Sequence, residues 1–329
     1  MKRKLGIFVS TASLVALAAC GSSDSTDADG KTVVTFWHSM GGPAQVALDQ
    51  IVSSYNESQD EVQVNAEFQG TYEESLPKFH SVGGTEDAPT IIQVQEIGSM
   101  SMINSGNIEP IQRFIDGEDY DMSGLEENIT NYYNIDDQFY SMPFNSSTPV
   151  MYYNKDAFAA AGLDPEAPPE TYEEVEEASK KIIEANDGMR GFALQAYGWL
   201  FEELLANQGG HLLNNENGRS ELATEVAFDD EKGRSIFHWV ERMIEEGTFM
   251  NYGTNSDNMV AGFLSGEVAM FMQSSAQSRD VIDNAPFEVG VGFIPYPETQ
   301  SEKGWSSGEL AFGCLPGKRQ KSKKPHGIL

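Results

Sequence analysis

Short runs of β-branched and aromatic residues alternate with longer stretches of helical apolar spacing through most of this chain. A chain so patterned folds as layered α/β structure. Thr32 to Trp37 is the first strand-like run, and His38-Ser39-Met40-Gly41-Gly42-Pro43 turns the chain. Residues 44–55 then read as a helix whose apolar face carries Val46, Leu48, Ile51, Val52 and Tyr55. Val62 to Phe68 alternates as a second strand, ended by Gln69-Gly70-Thr71-Tyr72 before a polar helix containing Leu76 and Phe79. Pro89 to Glu96 reads as a third strand, Ser99 to Ile108 as a helix, and Gly117 to Ser123 as a solvated stretch before a helix through Tyr132. In such sheets, ligands meet the loops beyond the carboxyl ends of strands. That rule puts His38, Ser39, Gly41, Gly42 and Tyr72 on one rim, with Glu96 at the end of the third strand.

The second half is richer in helix. Pro149 to Tyr153 reads as a strand, Asn154 or Asp156 can cap the helix that follows, and Gly162 to Pro169 ends it. Thr171 with Glu174 three places on forms a capping box for a helix over 172–185. Gly191 to Gln195 is a short strand, Trp199 to Gln208 a helix, and residues 231–246 a helix of mixed charged and apolar faces. Asn258 to Leu264 is helical, Glu267 to Met272 a strand, and Pro286 to Tyr296 contains the last strand.

The residues that carry chemistry are small and mostly neutral. Asn145, Ser146, Ser147 and Thr148 precede the Pro149 strand, and their amide and hydroxyl groups both donate and accept, which suits a polyol or an oxyanion. An ordinary polar turn is the plain alternative. Gln273-Ser274-Ser275 ends one strand and opens a helix, so its hydroxyls and backbone N–H groups form either an anion receptor or a simple cap. Glu96 has no neighbouring acid–base partner and suits acceptance from vicinal hydroxyls. Tyr72 is divided between site and packing, and Tyr172 between a ligand cleft and the helix beneath it. His38, without a second histidine or suitably spaced acid, reads as a polar turn or a hydrogen-bonding group rather than a metal ligand.

A net charge of −30, from 21 basic and 51 acidic residues, excludes a nucleic-acid partner, because phosphate backbones need a basic footprint. It does not exclude a small anion held by hydroxyls and helix N-termini. Lys2-Arg3-Lys4, the apolar run from Leu5 to Ala18 and the box Leu17-Ala18-Ala19-Cys20 read as an export signal over 1–19 with Cys20 as the lipidated residue. Residues 20–31, rich in Ser, Asp and Gly, read as a tether. The expected place is therefore the outer face of the cell membrane, lipid-anchored, or the periplasm where an outer membrane exists. Beside Cys20 only Cys314 occurs, so no structural disulfide is expected. No Gly-x-Ser-x-Gly, His-Glu-x-x-His, paired-cysteine or dinucleotide motif is present, and His38, His80, His211, His238 and His326 do not assemble into a hydrolytic centre. An enzyme, a metal site and a cofactor are not expected.

Phe36-Trp37-His38-Ser39-Met40, Gly70-Thr71-Tyr72-Glu73, Gln93-Val94-Gln95-Glu96, Pro143 to Pro149 and Tyr153 to Phe158 together resemble the glycerol-3-phosphate-binding branch of the bacterial extracellular solute-binding proteins, family 1. Ala161 to Glu166, Phe271 to Ser275 and Gly290 to Tyr296 continue the resemblance. It implies a two-lobed, type II periplasmic-binding-protein fold with a ligand cleft between lobes. It also implies a monomeric, non-catalytic receptor that hands sn-glycerol 3-phosphate, or glycerophosphodiesters, to the membrane subunits of an ABC importer. Tyr72, Glu96, Ser147 and Ser274 match ligand positions of that branch, Tyr172 stands where it has a tryptophan, and Trp199 matches a second tryptophan region. A sugar or oligosaccharide receptor of the same fold is the alternative, and it would show more stacking aromatics.

On this reading the first lobe covers 32–145 and the second 146–300. The tail over 301–329 departs from the branch, which continues further and supplies a tyrosine and an arginine to the ligand. Gly308 to Lys318, read one base out of frame, approaches the branch's pattern, so a frameshift or sequencing error near 305–308 is the expectation.

Overall fold

The computed structural model describes residues 26–218 and 220–299. The signal segment, Cys20, residues 20–25 of the tether and the 301–329 tail with Cys314 lie outside the described residues. Packing divides the chain after Gly98. Residues 99–145, attached from sequence to the first lobe, group by contact with the second unit.

The first unit is built from β1 (Thr32–His38), α1 (Gly42–Ser58), β2 (Val62–Phe68), α2 (Tyr72–Val82), β3 (Ile91–Ile92) and a 3-10 turn over Glu96–Gly98. Its parallel sheet runs β2-β1-β3, with Thr32 opposite Val62, His38 opposite Phe68 and Phe36 opposite Ile91. Pro43 in the first turn of α1 suits a helix start, where its missing N–H costs nothing. Asn56 ties α1 to β2 by donating to the Val64 carbonyl and accepting from its N–H, both at 2.9 Å. Of the expected apolar face of α1, only Leu48 is buried, while Val46, Ile51 and Tyr55 are exposed. A sheet of three strands, one of them two residues long, is too narrow to cover that face. The expected strand from Pro89 to Glu96 shrinks to Ile91–Ile92 because the chain turns at Glu96 into its 3-10 turn.

The second unit opens with α3 (Ser99–Ser105), α4 (Gln112–Glu118), α5 (Glu127–Tyr133) and the hairpin of β4 (Asn134–Ile135) and β5 (Gln138–Phe139). Then come β6 (Pro149–Asn154), α6 (Lys155–Ala160), α7 (Tyr172–Ala185), β7 (Arg190–Ala193), α8 (Gly198–Asn207), and α9 (Asn214–Gly218), whose three central residues are left-handed. The chain closes with α10 (Glu231–Glu245), β8 (Phe249–Met250), α11 (Ser256–Leu264), β9 (Val268–Ser274), α12 (Ser278–Asn284) and β10 (Val289–Gly292). The five strands order β10-β6-β9-β7-β8, antiparallel at β10–β6 and β6–β9 and parallel at β9–β7 and β7–β8.

β9 lies centrally, and Val268 through Gln273 are buried without a break, as a strand covered on both faces requires. The two-residue period then sorts neighbours between two cores. Met151, Tyr153, Met270 and Met272 pack with Phe192, Tyr172 and Trp239. Tyr152 and Phe271 pack with Met259 and Phe263 on the other face. Both caps read from sequence form here: Asn154 Oδ1 accepts from Ala157 N–H at 2.9 Å, and Thr171 with Glu174 makes the full box at the start of α7.

Candidate functional site

In the first unit, β1 ends at His38, which is 1% exposed. Its Nδ1 accepts from Met40 N–H at 3.2 Å, and the ring lies between Phe36 and Phe68, with centroids 5.8 and 5.9 Å away. Burial lowers the imidazole from its ordinary 6.5, against the opposing pull of Asp49, so the ring is neutral near pH 7. The expectation that His38 contacts a ligand is corrected: the side chain is enclosed and holds the turn. The next residue begins a polar chain that sequence reasoning missed. Ser39 N–H donates to Gln93 Oε1 at 3.0 Å, and Gln93 Nε2 donates to the Tyr72 hydroxyl at 3.3 Å. Gln93 is 7% exposed, so its amide is a fixed brace between the end of β1 and the start of α2. The only sequence signal for it is a polar residue directly after the apolar pair Ile91–Ile92.

Tyr72 is placed by the cap of its own helix. Thr71 Oγ1 accepts from Glu74 N–H, and Glu74 Oε2 accepts from Thr71 N–H at 3.0 Å. Gly70 before them has φ +88°, and a Cβ there would collide with Glu74 Oε2, so only glycine lets the box close. Across from this first turn stands the segment that follows β3. The two walls, Tyr72–Leu76 and Ile92–Gly98, enclose a cavity of about 90 Å³. Glu96 stands at the head of the 3-10 turn, half-buried. Desolvation raises its carboxyl above the ordinary 4.5, while a bond from its own backbone N–H pulls it back. Of the two expected residues Tyr72 lines this hollow, and Glu96 is not among its lining residues.

In the second unit, antiparallel pairing sets Pro149 opposite Ser274 and carries two expected segments, far apart in sequence, to one sheet edge. Ser275 N–H donates to the Thr148 carbonyl at 2.8 Å, and Thr148 N–H donates to Ser275 Oγ at 3.1 Å. The Tyr152 hydroxyl donates to the Ser274 carbonyl at 2.8 Å and meets Ser278 Oγ at the same distance. Ser274 Oγ accepts from Ala276 N–H at 3.1 Å, which leaves the hydroxyl proton to be donated. Ser147 and Ser274 are half-buried, whereas Asn145 and Ser146 are exposed. Beyond the end of β7, Gln195 Nε2 donates to the Thr254 carbonyl at 2.8 Å.

Two expected site residues are elsewhere. Tyr172 is 1% exposed, its ring stacked on Trp239 at 4.2 Å and 5° and its hydroxyl accepting from Gln208 Nε2 at 3.3 Å. Of the two fates left open by sequence, it meets the core, and its expected place in a ligand cleft is corrected. Trp199, 7% exposed, belongs to the same core, with Tyr197 beside it at 6.2 Å. A wider hollow of about 300 Å³ near Gly209–Glu216 and Lys232 contains none of the expected site residues. Among the described residues, no group of three or more His, Cys, Asp or Glu side chains is placed to hold a metal.

Two α/β units that offer small neutral donors and acceptors at strand ends define a solute-binding protein of the periplasmic-binding-protein-like fold. The chain belongs to the bacterial extracellular solute-binding proteins, whose family model matches residues 50–313. Members of this family bind solutes and are not enzymes. Over 273 residues it is 34% identical to the sn-glycerol-3-phosphate-binding periplasmic protein UgpB of Salmonella paratyphi A, a match covering 80% of this chain and 61% of that protein. The chain therefore spans less than two thirds of that relative's length. Among solved structures it resembles UgpB from Mycobacterium tuberculosis in complex with glycerophosphocholine, with a TM-score of 0.70 at 18% identity, covering 82% of this chain and 67% of that one. It also resembles the cyclic alpha-maltosyl-1,6-maltose binding protein from Arthrobacter globiformis, with a TM-score of 0.64 at 25% identity and coverages of 82% and 67%.

Proposed function

We propose that this chain is the solute-binding lipoprotein of an ABC importer, and that it captures sn-glycerol 3-phosphate and glycerophosphodiesters for delivery to the membrane permease. The observation that carries the reading is the junction of Thr148–Pro149 with Ser274–Ser275 at one sheet edge, directly after Ser147 in the chain. Two hydroxyls held at that edge donate to phosphate oxygens without bringing a charge, as an anion receptor in an acidic protein requires. Glu96 takes the glycerol end, because a carboxylate accepts from hydroxyls and would repel a phosphate. Tyr72 adds a hydroxyl. The relative named for sn-glycerol 3-phosphate supports this assignment.

A sugar or oligosaccharide ligand is the second reading, favoured by the maltosyl-maltose-binding structural neighbour. Burial of Tyr172 and Trp199 leaves neither ring free to stack on a sugar face, and it equally removes both from the wall of a phosphate ligand. Calorimetry of the purified chain with glycerol 3-phosphate, glycerophosphocholine and maltose separates the two. The first two ligands are expected to bind, and a response to maltose alone overturns the proposal. Anchoring through Cys20 belongs to the same reading: Cys20→Ser is expected to release the protein from the membrane fraction, and unchanged retention refutes the anchor.

A further inference from the structure

Ser274 ends β9 opposite Pro149, and a proline has no N–H to donate across the ladder. Two side chains hold the Ser274 backbone there. The Tyr152 hydroxyl donates to its carbonyl at 2.8 Å, and its N–H donates to Oε1 of Gln273, the residue before it, also at 2.8 Å. The next two N–H groups are engaged as well, Ser275 with the Thr148 carbonyl at 2.8 Å and Ala276 with Ser274 Oγ at 3.1 Å. All three backbone donors over 274–276 are thus spent inside the protein. What Ser274 offers a ligand oxygen is its hydroxyl, in the place its backbone gives it.

Gln273, 8% exposed, is itself held. Its Nε2 donates to Gln195 Oε1 at 3.5 Å, and Gln195 Nε2 donates to the Thr254 carbonyl at 2.8 Å. The two ends of this chain set its sense. Ser274 N–H can only donate and the Thr254 carbonyl can only accept, so neither amide can flip without losing a bond. Gln195 follows β7 and Thr254 follows β8, so the chain crosses the carboxyl ends of three neighbouring parallel strands, where sheets of this kind meet their ligands. Burying an amide is costly unless its groups are paired, and the bond that Gln273 makes at 2.8 Å is the one to Ser274.

We propose that Gln273 is a positioning residue of the solute site: it fixes the Ser274 hydroxyl through the Ser274 backbone, and Gln195 holds it in the required sense. The inference rests on the reading of Ser274 as a phosphate donor and extends it to two amides that reading does not include. Its test is a double-mutant cycle, with glycerol 3-phosphate affinity measured by calorimetry for wild type, Ser274→Ala, Gln273→Met and the double variant.

Gln273→Met keeps the length of the side chain and removes both polar ends. It is expected to bind about three- to tenfold more weakly than wild type, the worth of one hydrogen bond, and to have no further effect once Ser274 is alanine. Gln195→Ala, at a half-buried position outside the strands, is expected to show the same dependence on Ser274 with a loss of about two- to threefold, and it decides the question should Gln273→Met not fold. An equal loss in both backgrounds would mean that the amides support the fold without acting through Ser274, and overturns the inference. Unchanged affinity in both single variants overturns it as well. A wild type that ignores glycerol 3-phosphate, or a Ser274→Ala variant that binds it as tightly as wild type, overturns the parent reading and this inference with it.

Discussion

Tyr172→Ala separates the two roles open to that ring. The side chain is 1% exposed and lies flat on Trp239, which is itself fully buried together with Phe192 and Met243. Deleting an aromatic ring from such a site removes its transfer free energy and leaves a cavity, together about 3–5 kcal/mol. Loss of the stacked pair adds about 0.5–1.5 kcal/mol. The hydroxyl contributes little of this, because Gln208 Nε2 keeps the Leu204 and Lys232 carbonyls as acceptors at 3.3 and 3.4 Å. In a unit of this size each kcal/mol moves the melting temperature by about 2–4 °C, so the core terms alone predict a fall of about 6–20 °C. Tyr172→Phe is expected to fall by a few degrees at most. Differential scanning calorimetry with urea titration reads both. If Tyr172→Ala kept its melting temperature and lost ligand affinity instead, the ring would be part of the ligand surface and its assignment to the core would be wrong.

The remaining predictions concern the two sets of site groups and one packing contact. Because burial raises the Glu96 carboxyl and the carboxylate is the accepting form, affinity for a glycerol ligand should fall as pH drops through that raised value, above the ordinary 4.5. Stability without ligand runs the other way: the buried charge is a cost at pH above the folded value, relieved as pH falls below the unfolded 4.5. Glu96→Gln should therefore melt higher at neutral pH while binding more weakly, and a variant that melts lower would contradict the desolvation argument. Ser275→Ala strands Thr148 N–H while Ser147 and Ser274 stay chemically intact; weaker phosphate-ligand binding by about three- to tenfold is expected in calorimetry, and unchanged affinity would show that the junction does not set their spacing. Gly191→Ala brings a Cβ within 2.6 Å of Ser179 Cα, forcing α7 away from β7 at a cost of about 1–3 kcal/mol or more, measurable as a lower urea midpoint.

What could be read from the chain beforehand was what is local. The Thr171–Glu174 box and the apolar period after it place α7 correctly, since a cap and a helical stripe are complete within a few turns of chain. Val62–Phe68 is legible for the same reason. The fate of Tyr172 was not, because it is decided by Trp239, a partner on α10 that no local pattern announces. Gln93 escaped notice because it sits at the end of an apolar run, and its role appears only when β3 pairs with β1 and the amide meets Ser39. The hydroxyl-bearing segments at 145–148 and 273–275 were visible as chemistry. Their meeting was not, since it depends on an antiparallel pairing across more than a hundred residues.

That pairing has a consequence for how the receptor can change. Ser274 is set by strand register opposite Pro149, two residues after Ser147, and Val150 to Tyr153 are opposed one by one to Gln273 to Met270. Removing one residue inside β6 would shift the Ser147 end by about 3.3 Å and exchange which side chains face each core. Point substitutions at the edge alter single groups of the proposed site, whereas an insertion or deletion in the strand displaces the proposed site and the core packing together. Divergence of this edge is thereby channelled into side-chain replacement at fixed positions, and the alignment of β6 with β9 acts as its ruler.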